Sequence, residues 1–280
     1  MAAQMAQAFA ALVGAQVEDE QIDLPRAALT IAQTEYPRLQ FEPWLARLDA
    51  LAARVAARVH DPGDAPQVVA SLNRVLFEEE GFRGNLADYS DPRNSFLNDV
   101  LDRKLGIPIT LSLVYMEVAR RVGFPLFGVG MPGHFLLKYY DAEGRAVLID
   151  AFEGGKLLAP EDCQRRLDEI YAGGMLLQPQ FLVAVTRRQL LVRMLGNLRS
   201  IYLSTRNLRK ALEMVDLVLA IYPRSAEDVK QRAVLRYNLT QMRGAVADFE
   251  DYLKMATEAS DAADIRQIAL SIRRMLATLN

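Results

Sequence analysis

The chain is poor in the residues that metal and redox chemistry recruit: of 280 residues, one is cysteine and two are histidine. The single cysteine, Cys163, excludes an intramolecular disulfide and any cysteine-built zinc cage. His60 and His134 belong to no cluster with ligand spacing, so no metal and no other cofactor is expected. No apolar run approaches the roughly 20 residues that cross a bilayer. The opening segment, MAAQMAQAFAALVGAQVEDE, has no basic stretch ahead of its apolar residues, so no signal peptide is expected and the anticipated address is cytoplasmic. No cluster of lysine and arginine is interleaved with aromatics, which argues against a nucleic-acid partner.

What is present belongs to a globular protein. Apolar residues make up 51% and charged residues 24%, and the length suits one large or two ordinary domains. The net charge of −2 hides an uneven spread. Residues 186–280 carry 16 Lys and Arg against 10 Asp and Glu, whereas residues 1–185 carry 17 against 25. This balance suits an acidic partner surface for the last third, although arginines scattered on helices are also ordinary solvated surface.

Residues 1–60 read as helices. Apolar residues recur at helical spacing over 1–17; Asp23-Leu24-Pro25 offers a cap and a first-turn proline for 26–35; Pro43 opens a helix reaching His60. The breaker DPGDAP at 61–66 then precedes a helix over 67–79. Residues 81–94 are loop chemistry, Ser95 is placed to cap a helix over 96–104, and Pro108 starts another that Gly123 and Pro125 end. That second helix is apolar around most of its circumference, which predicts burial inside a fold. Strands are predicted at 127–130, 135–140 and 146–151.

The order of these elements brings chemistry together. If residues 141–145 form a hairpin loop, Tyr140 pairs with Ala146 and Leu136 with Asp150, which puts His134 diagonal to Asp150 on one face. A carboxylate there fixes an imidazole's tautomer and raises its basicity. Gly133 permits a tight turn just ahead of the histidine. A histidine in a Gly-Pro turn and an aspartate ending a strand also have ordinary packing and turn roles. No cysteine stands near the start of the helix at 108, where the helix dipole would favour a thiolate. Thr110 and Ser112 supply hydroxyls there, each with a plain alternative: first-turn capping and close helix packing respectively. Cys163 follows Glu161 and Asp162, whose charges raise a thiol pKa, and reads as structural. Asn94 is a donor that either lines the cleft or serves its own turn; Asp88, Tyr89 and Asp91 are equally ambiguous.

From Arg187 onward the sequence is wholly helical and repeats. Ala211 and Ala245, Val215 and Phe249, and Leu219 and Leu253 each lie 34 residues apart. Tyr202, Ala211, Pro223 and Ala233 occupy the Tyr, small-residue and terminal Pro positions of a tetratricopeptide repeat (TPR), although Thr257 stands where the second proline is expected. Two such units and a capping helix over 264–279 fill the remaining length. So short an array is expected to lean on the rest of the chain.

The stretch NLADYSDPRNSFLNDVLDRKLGIPITLSLVYMEVARRVG, with GVGMPGHFLLKYY and VLIDAFEGG, closely resembles the bacterial SirB-type proteins, which join a transglutaminase-like core to TPRs. The resemblance spans nearly the whole chain. It implies an α+β fold with three segments: a helical N-terminal subdomain (1–60), a transglutaminase- or papain-like core (61–185) with a central buried helix against an antiparallel sheet, and TPR-like helices (186–280). On that pattern His134 and Asp150 fall on the catalytic His and Asp, while Pro108 falls on the nucleophilic cysteine. The resemblance therefore implies the cleft without the enzyme: a regulatory module binding a peptide or amide group beside Asn94, Pro108 and Gly133, with a protein partner on the repeats. The competing expectation is a cysteine-independent amide or acyl hydrolase or transferase using Thr110 or Ser112 with His134 and Asp150.

Overall fold

The computed structural model describes residues 2–278. Met1, Leu279 and Asn280 fall outside it, and with them the first residue of the helix expected over 1–17 and the last of that expected over 264–279. By compactness the chain forms two units, residues 23–194 and residues 1–22 together with 195–280.

In residues 23–194 local sequence signals set most boundaries. α2 (Leu24–Ala32) starts where the Asp23 carboxylate accepts the Arg26 amide at 3.0 Å, and α4 (Ala65–Asn73) where Asp64 accepts the Gln67 amide at 3.2 Å. Between them lies α3 (Glu42–Ala56), shorter at its C-terminal end than expected. The helix expected to reach residue 79 changes pitch instead: after Asn73 the chain continues as a π-helical turn, Arg74–Glu79. β1 (Arg83–Gly84) pairs in parallel with β2 (Leu105–Gly106), flanking α5 (Leu97–Arg103). Ser95 does not cap α5; Phe96 takes that place, and the Ser95 hydroxyl has no partner among the described residues.

α6 (Pro108–Arg121) buries every residue from Pro108 to Tyr115, as its all-round apolarity predicts. It packs on α3, on α5 and on β4. The sheet is antiparallel in the order β3 (Phe127–Val129), β4 (Leu136–Tyr140), β5 (Ala146–Asp150), β6 (Lys156–Leu158). Tyr140 opposes Ala146 and Leu137 opposes Ile149, the register read from the sequence. The fourth strand and α7 (Pro160–Tyr171) add to the elements expected from the sequence. α7 covers the sheet through Cys163 and Leu167, which pack with Val129, Met131, Leu136 and Leu148.

The other unit is helical. It contains α8 (Arg187–Ser204) from Leu195 onward, α9 (Leu208–Ile221), α10 (Ala226–Asn238), α11 (Met242–Met255) and α12 (Ala262–Thr278). The small residues of the 34-residue repeat, Ala211, Ala233 and Ala245, are fully buried where successive helices meet. Asp248 is buried too, held by Arg232 (2.7 Å) and Arg236 (2.8 Å) of α10. α1 (Ala2–Val13) packs on α9, so this grouping by contact cuts across the three segments read from the sequence.

Candidate functional site

The site begins with a turn. Met131-Pro132-Gly133-His134 closes through the His134 amide donating to the Met131 carbonyl (3.1 Å), with proline second and glycine third at φ +69°. This is a type II turn sequence, in which the third residue needs positive φ. Space also restricts that position: a Cβ on Gly133 would lie 2.9 Å from Cγ2 of Ile170. The Arg193 guanidinium fastens the turn from outside, its Nη2 donating to the carbonyls of Met131 (2.8 Å) and His134 (2.6 Å) while the group lies over the Phe135 ring.

Leaving the turn, His134 places Nε2 at 2.8 Å from Oδ2 of Asp150 at the end of β5. Asp150 is wholly buried and well supplied with donors. Its Oδ1 accepts the amides of Phe152 (2.9 Å) and Glu153 (3.3 Å), and Arg166, itself paired with Glu153, stands 3.5 Å from Oδ2. Burial pushes this carboxyl up, but the His134 hydrogen bond and charge, the Phe152 amide and Arg166 outweigh it and hold it below the ordinary carboxylate range. An ionised Asp150 keeps a proton on Nε2, so Nδ1 is the ring nitrogen left to meet a ligand. Nδ1 has no hydrogen-bond partner among the described residues.

Aromatic rings wall the histidine. Phe152 meets His134 edge-on at 6.0 Å, and Tyr89 meets Phe152 at 6.2 Å. Phe152 reaches this position only because Gly84 has no Cβ, which would collide with the ring. Behind Asp150, its carbonyl accepts the Gly155 amide (2.8 Å), and the Gly155 carbonyl accepts Nδ2 of Asn73 (3.0 Å). Asn73 is oriented in turn by the Tyr115 hydroxyl at 2.9 Å, so α6 braces the turn that follows the acid.

The expected nucleophiles are placed differently. Pro108 is the first residue of α6 and carries no reactive atom. Thr110 donates its hydroxyl to the Asn94 carbonyl (2.7 Å) and accepts the Ile107 amide (3.1 Å), which caps the helix. Ser112 is fully buried and its hydroxyl has no partner among the described residues, His134 included. Asn94 does not offer a donor to the cleft: Nδ2 is spent on the carbonyls of Asp88 (2.7 Å) and Tyr89 (3.3 Å), and Oδ1 accepts from Asn85. Asp91 caps its own turn and pairs with Arg93 and Arg103, each near 3 Å. Cys163 is buried, and burial followed by the charges of Asp162, Asp150 and Glu161 pushes its thiol up to about 11. Among the described residues no three His, Cys, Asp or Glu side chains are grouped to hold a metal, and no helix is long and apolar enough to cross a membrane.

Five residues that shape the site were not singled out by sequence reasoning: Asn73, Tyr115, Phe152, Arg166 and Arg193. Phe152 had a signal, since it lies in the DAFEGG that follows β5. The others carry none, because their partners are 16 to 82 positions away.

Two family models match the chain. Residues 42–196 match the transglutaminase-like superfamily, and residues 198–275 match the tetratricopeptide repeat. A UPF0162 protein of Xylella fastidiosa is 36% identical over 245 residues, covering 86% of each chain. A UPF0162 protein of Pseudomonas aeruginosa is 31% identical, covering 86% of this chain and 87% of that one. F-box only protein 21 of Mus musculus is 37% identical over 186 residues, which are 62% of this chain and 28% of that longer one. No solved structure matches the chain.

Proposed function

Because the chain belongs to the transglutaminase-like superfamily and its residues 198–275 match the tetratricopeptide repeat, we propose that it is a non-catalytic binding protein. Its core cleft holds a peptide or amide group beside His134, and its repeats hold a protein partner. The narrower SirB-type kinship and a cytoplasmic setting belong to the same reading. The observation that carries it is the start of α6: its first residue, onto which the resemblance carries the nucleophile, is proline, and the nearby Thr110 hydroxyl is consumed by Asn94 and Ile107. Nucleophilic catalysis needs an attacking atom hydrogen-bonded to its base, and the His134 ring hydrogen-bonds only to Asp150 among the described residues. A free Nδ1 on a ring fixed by a buried carboxylate suits the acceptance of a peptide N–H. On the repeats, a groove of about 630 Å³ lined by Arg236, Gln241, Met242, Arg243, Met275 and Leu276 sets the charge of Arg243 beside apolar surface, with Arg236 already paired to Asp248, which suits an acidic partner segment.

One observation favours the acyl hydrolase or transferase reading: the intact His134–Asp150 pair lies in the same core as the unpartnered Ser112 hydroxyl. Short N-acetylated alanine peptides, as free acids and as amides, are titrated into the full chain. The His134 ring is followed by NMR and the peptides by mass spectrometry. The binding reading expects saturable shifts with every peptide recovered intact. Peptide consumption, or an acyl adduct on the protein, lost in Ser112→Ala or Thr110→Val, would establish the catalytic alternative. A His134 ring indifferent to all the peptides would remove the cleft from consideration.

A further inference from the structure

Arg193 is a cation without an anion. It joins no ion pair with any described carboxylate, and the ionisable groups beside it are the tyrosines Tyr89 and Tyr171. Both hydrogens of Nη2 are used by the turn carbonyls of Met131 and His134, while Nη1 and Nε donate to nothing among the described residues. Room for Nη1 depends on Gly130, where a Cβ would stand 3.1 Å away. The two tyrosine hydroxyls also make no hydrogen bond among the described residues, and both side chains are partly exposed. Tyr171 reaches Gly133, its hydroxyl 3.5 Å from where a Cβ would be, and Tyr89 meets Phe152 edge-on as Phe152 meets His134.

Deepening the peptide-binding reading, on which it rests, we propose that the cleft selects a carboxylate-bearing ligand, such as a peptide's C-terminal end. Arg193 would receive the carboxylate through Nη1 and Nε, with the hydroxyls of Tyr89 and Tyr171 completing its contacts. A partly buried, unpaired guanidinium is costly in the free protein, and an arriving carboxylate supplies the missing charge. Bonds from a guanidinium to a carboxylate are about twice as strong as neutral ones, which gives the ligand's charge a measurable effect. Two neutral turn carbonyls explain Nη2 but leave the other donors and the charge unanswered.

The test uses the full chain and one matched pair of probes: N-acetyl-trialanine with a free C-terminal carboxylate, and the same peptide as its C-terminal amide. The free acid is expected to bind about tenfold more tightly or better, the effect of one charge-assisted contact. Arg193→Gln, which keeps an amide donor for the turn but removes the charge, should equalise the two peptides; Arg193→Lys should retain the preference. If Arg193→Gln fails to fold, Tyr89→Phe combined with Tyr171→Phe should reduce the preference, as should added salt. Equal binding of acid and amide by the unaltered protein would overturn this inference and leave the peptide cleft standing. Binding of neither would overturn both.

Discussion

Replacing Asp150 tests how much of the cleft one carboxylate holds. Asp150→Ala removes the acceptor for His134 Nε2 and for the Phe152 and Glu153 amides, and leaves Arg166 with only Glu153 and Glu169. An orphaned buried donor costs about 1–3 kcal/mol. The Glu153 bond is long at 3.3 Å and counts for little, so the imidazole and the Phe152 amide dominate. Loss of about 3–5 kcal/mol is expected, the range for breaking a buried charged pair. Asp150→Asn keeps the volume and an acceptor for Phe152, so about 1–2 kcal/mol should be lost, mainly the charge assistance. Urea unfolding followed by circular dichroism at pH 7 measures both. The sign with pH follows from the depressed carboxyl. Its contribution is present above the unfolded aspartate pKa of about 3.9 and is lost as pH falls through the lower folded value. The gap between the unaltered protein and Asp150→Asn should therefore narrow below about pH 4. A cost under about 1 kcal/mol for Asp150→Ala, or a gap that stays constant down to about pH 3, would refute the idea that this carboxylate anchors the histidine and its turn.

Two further outcomes follow from local geometry. Gly133→Ala places a Cβ at positive φ and against Ile170, so it should cost about 1–3 kcal/mol in urea unfolding and disturb the His134 ring signals. A neutral effect would mean that neither φ nor Ile170 constrains the turn. Cys163 should react with iodoacetamide at about pH 8 far more slowly in the folded protein than in urea, because its thiol is buried and pushed up to about 11. Equal rates would contradict that burial.

The sequence was most legible where one short-range rule governed the outcome. A five-residue loop between alternating strands was enough to align Tyr140 with Ala146, and the all-round apolarity of α6 was enough to bury it. It was least legible where the determinant is distant or local signals compete. The pitch changes after Asn73, whose side chain bonds to Gly155, 82 residues away, and no helical periodicity encodes that partner. β1 and β2 are two residues each, too short for any alternation. α7 is hard to see in the sequence although Pro160 and two acids begin it, because its apolar stripe is narrow. Asn94 has the chemistry of a donor to the cleft, but the carbonyls of Asp88 and Tyr89 are nearer. Arg193 reaches the His134 turn from a helix 59 residues later.

The packing of α1 on α9 imposes a schedule on biosynthesis. The first helix leaves the ribosome early, yet its apolar face has no seat until the chain beyond Leu208 has been made. At roughly 5–20 residues per second, that interval is on the order of ten to forty seconds. Residues 23–194 are made within it, so that unit is complete while α1 still waits for α9.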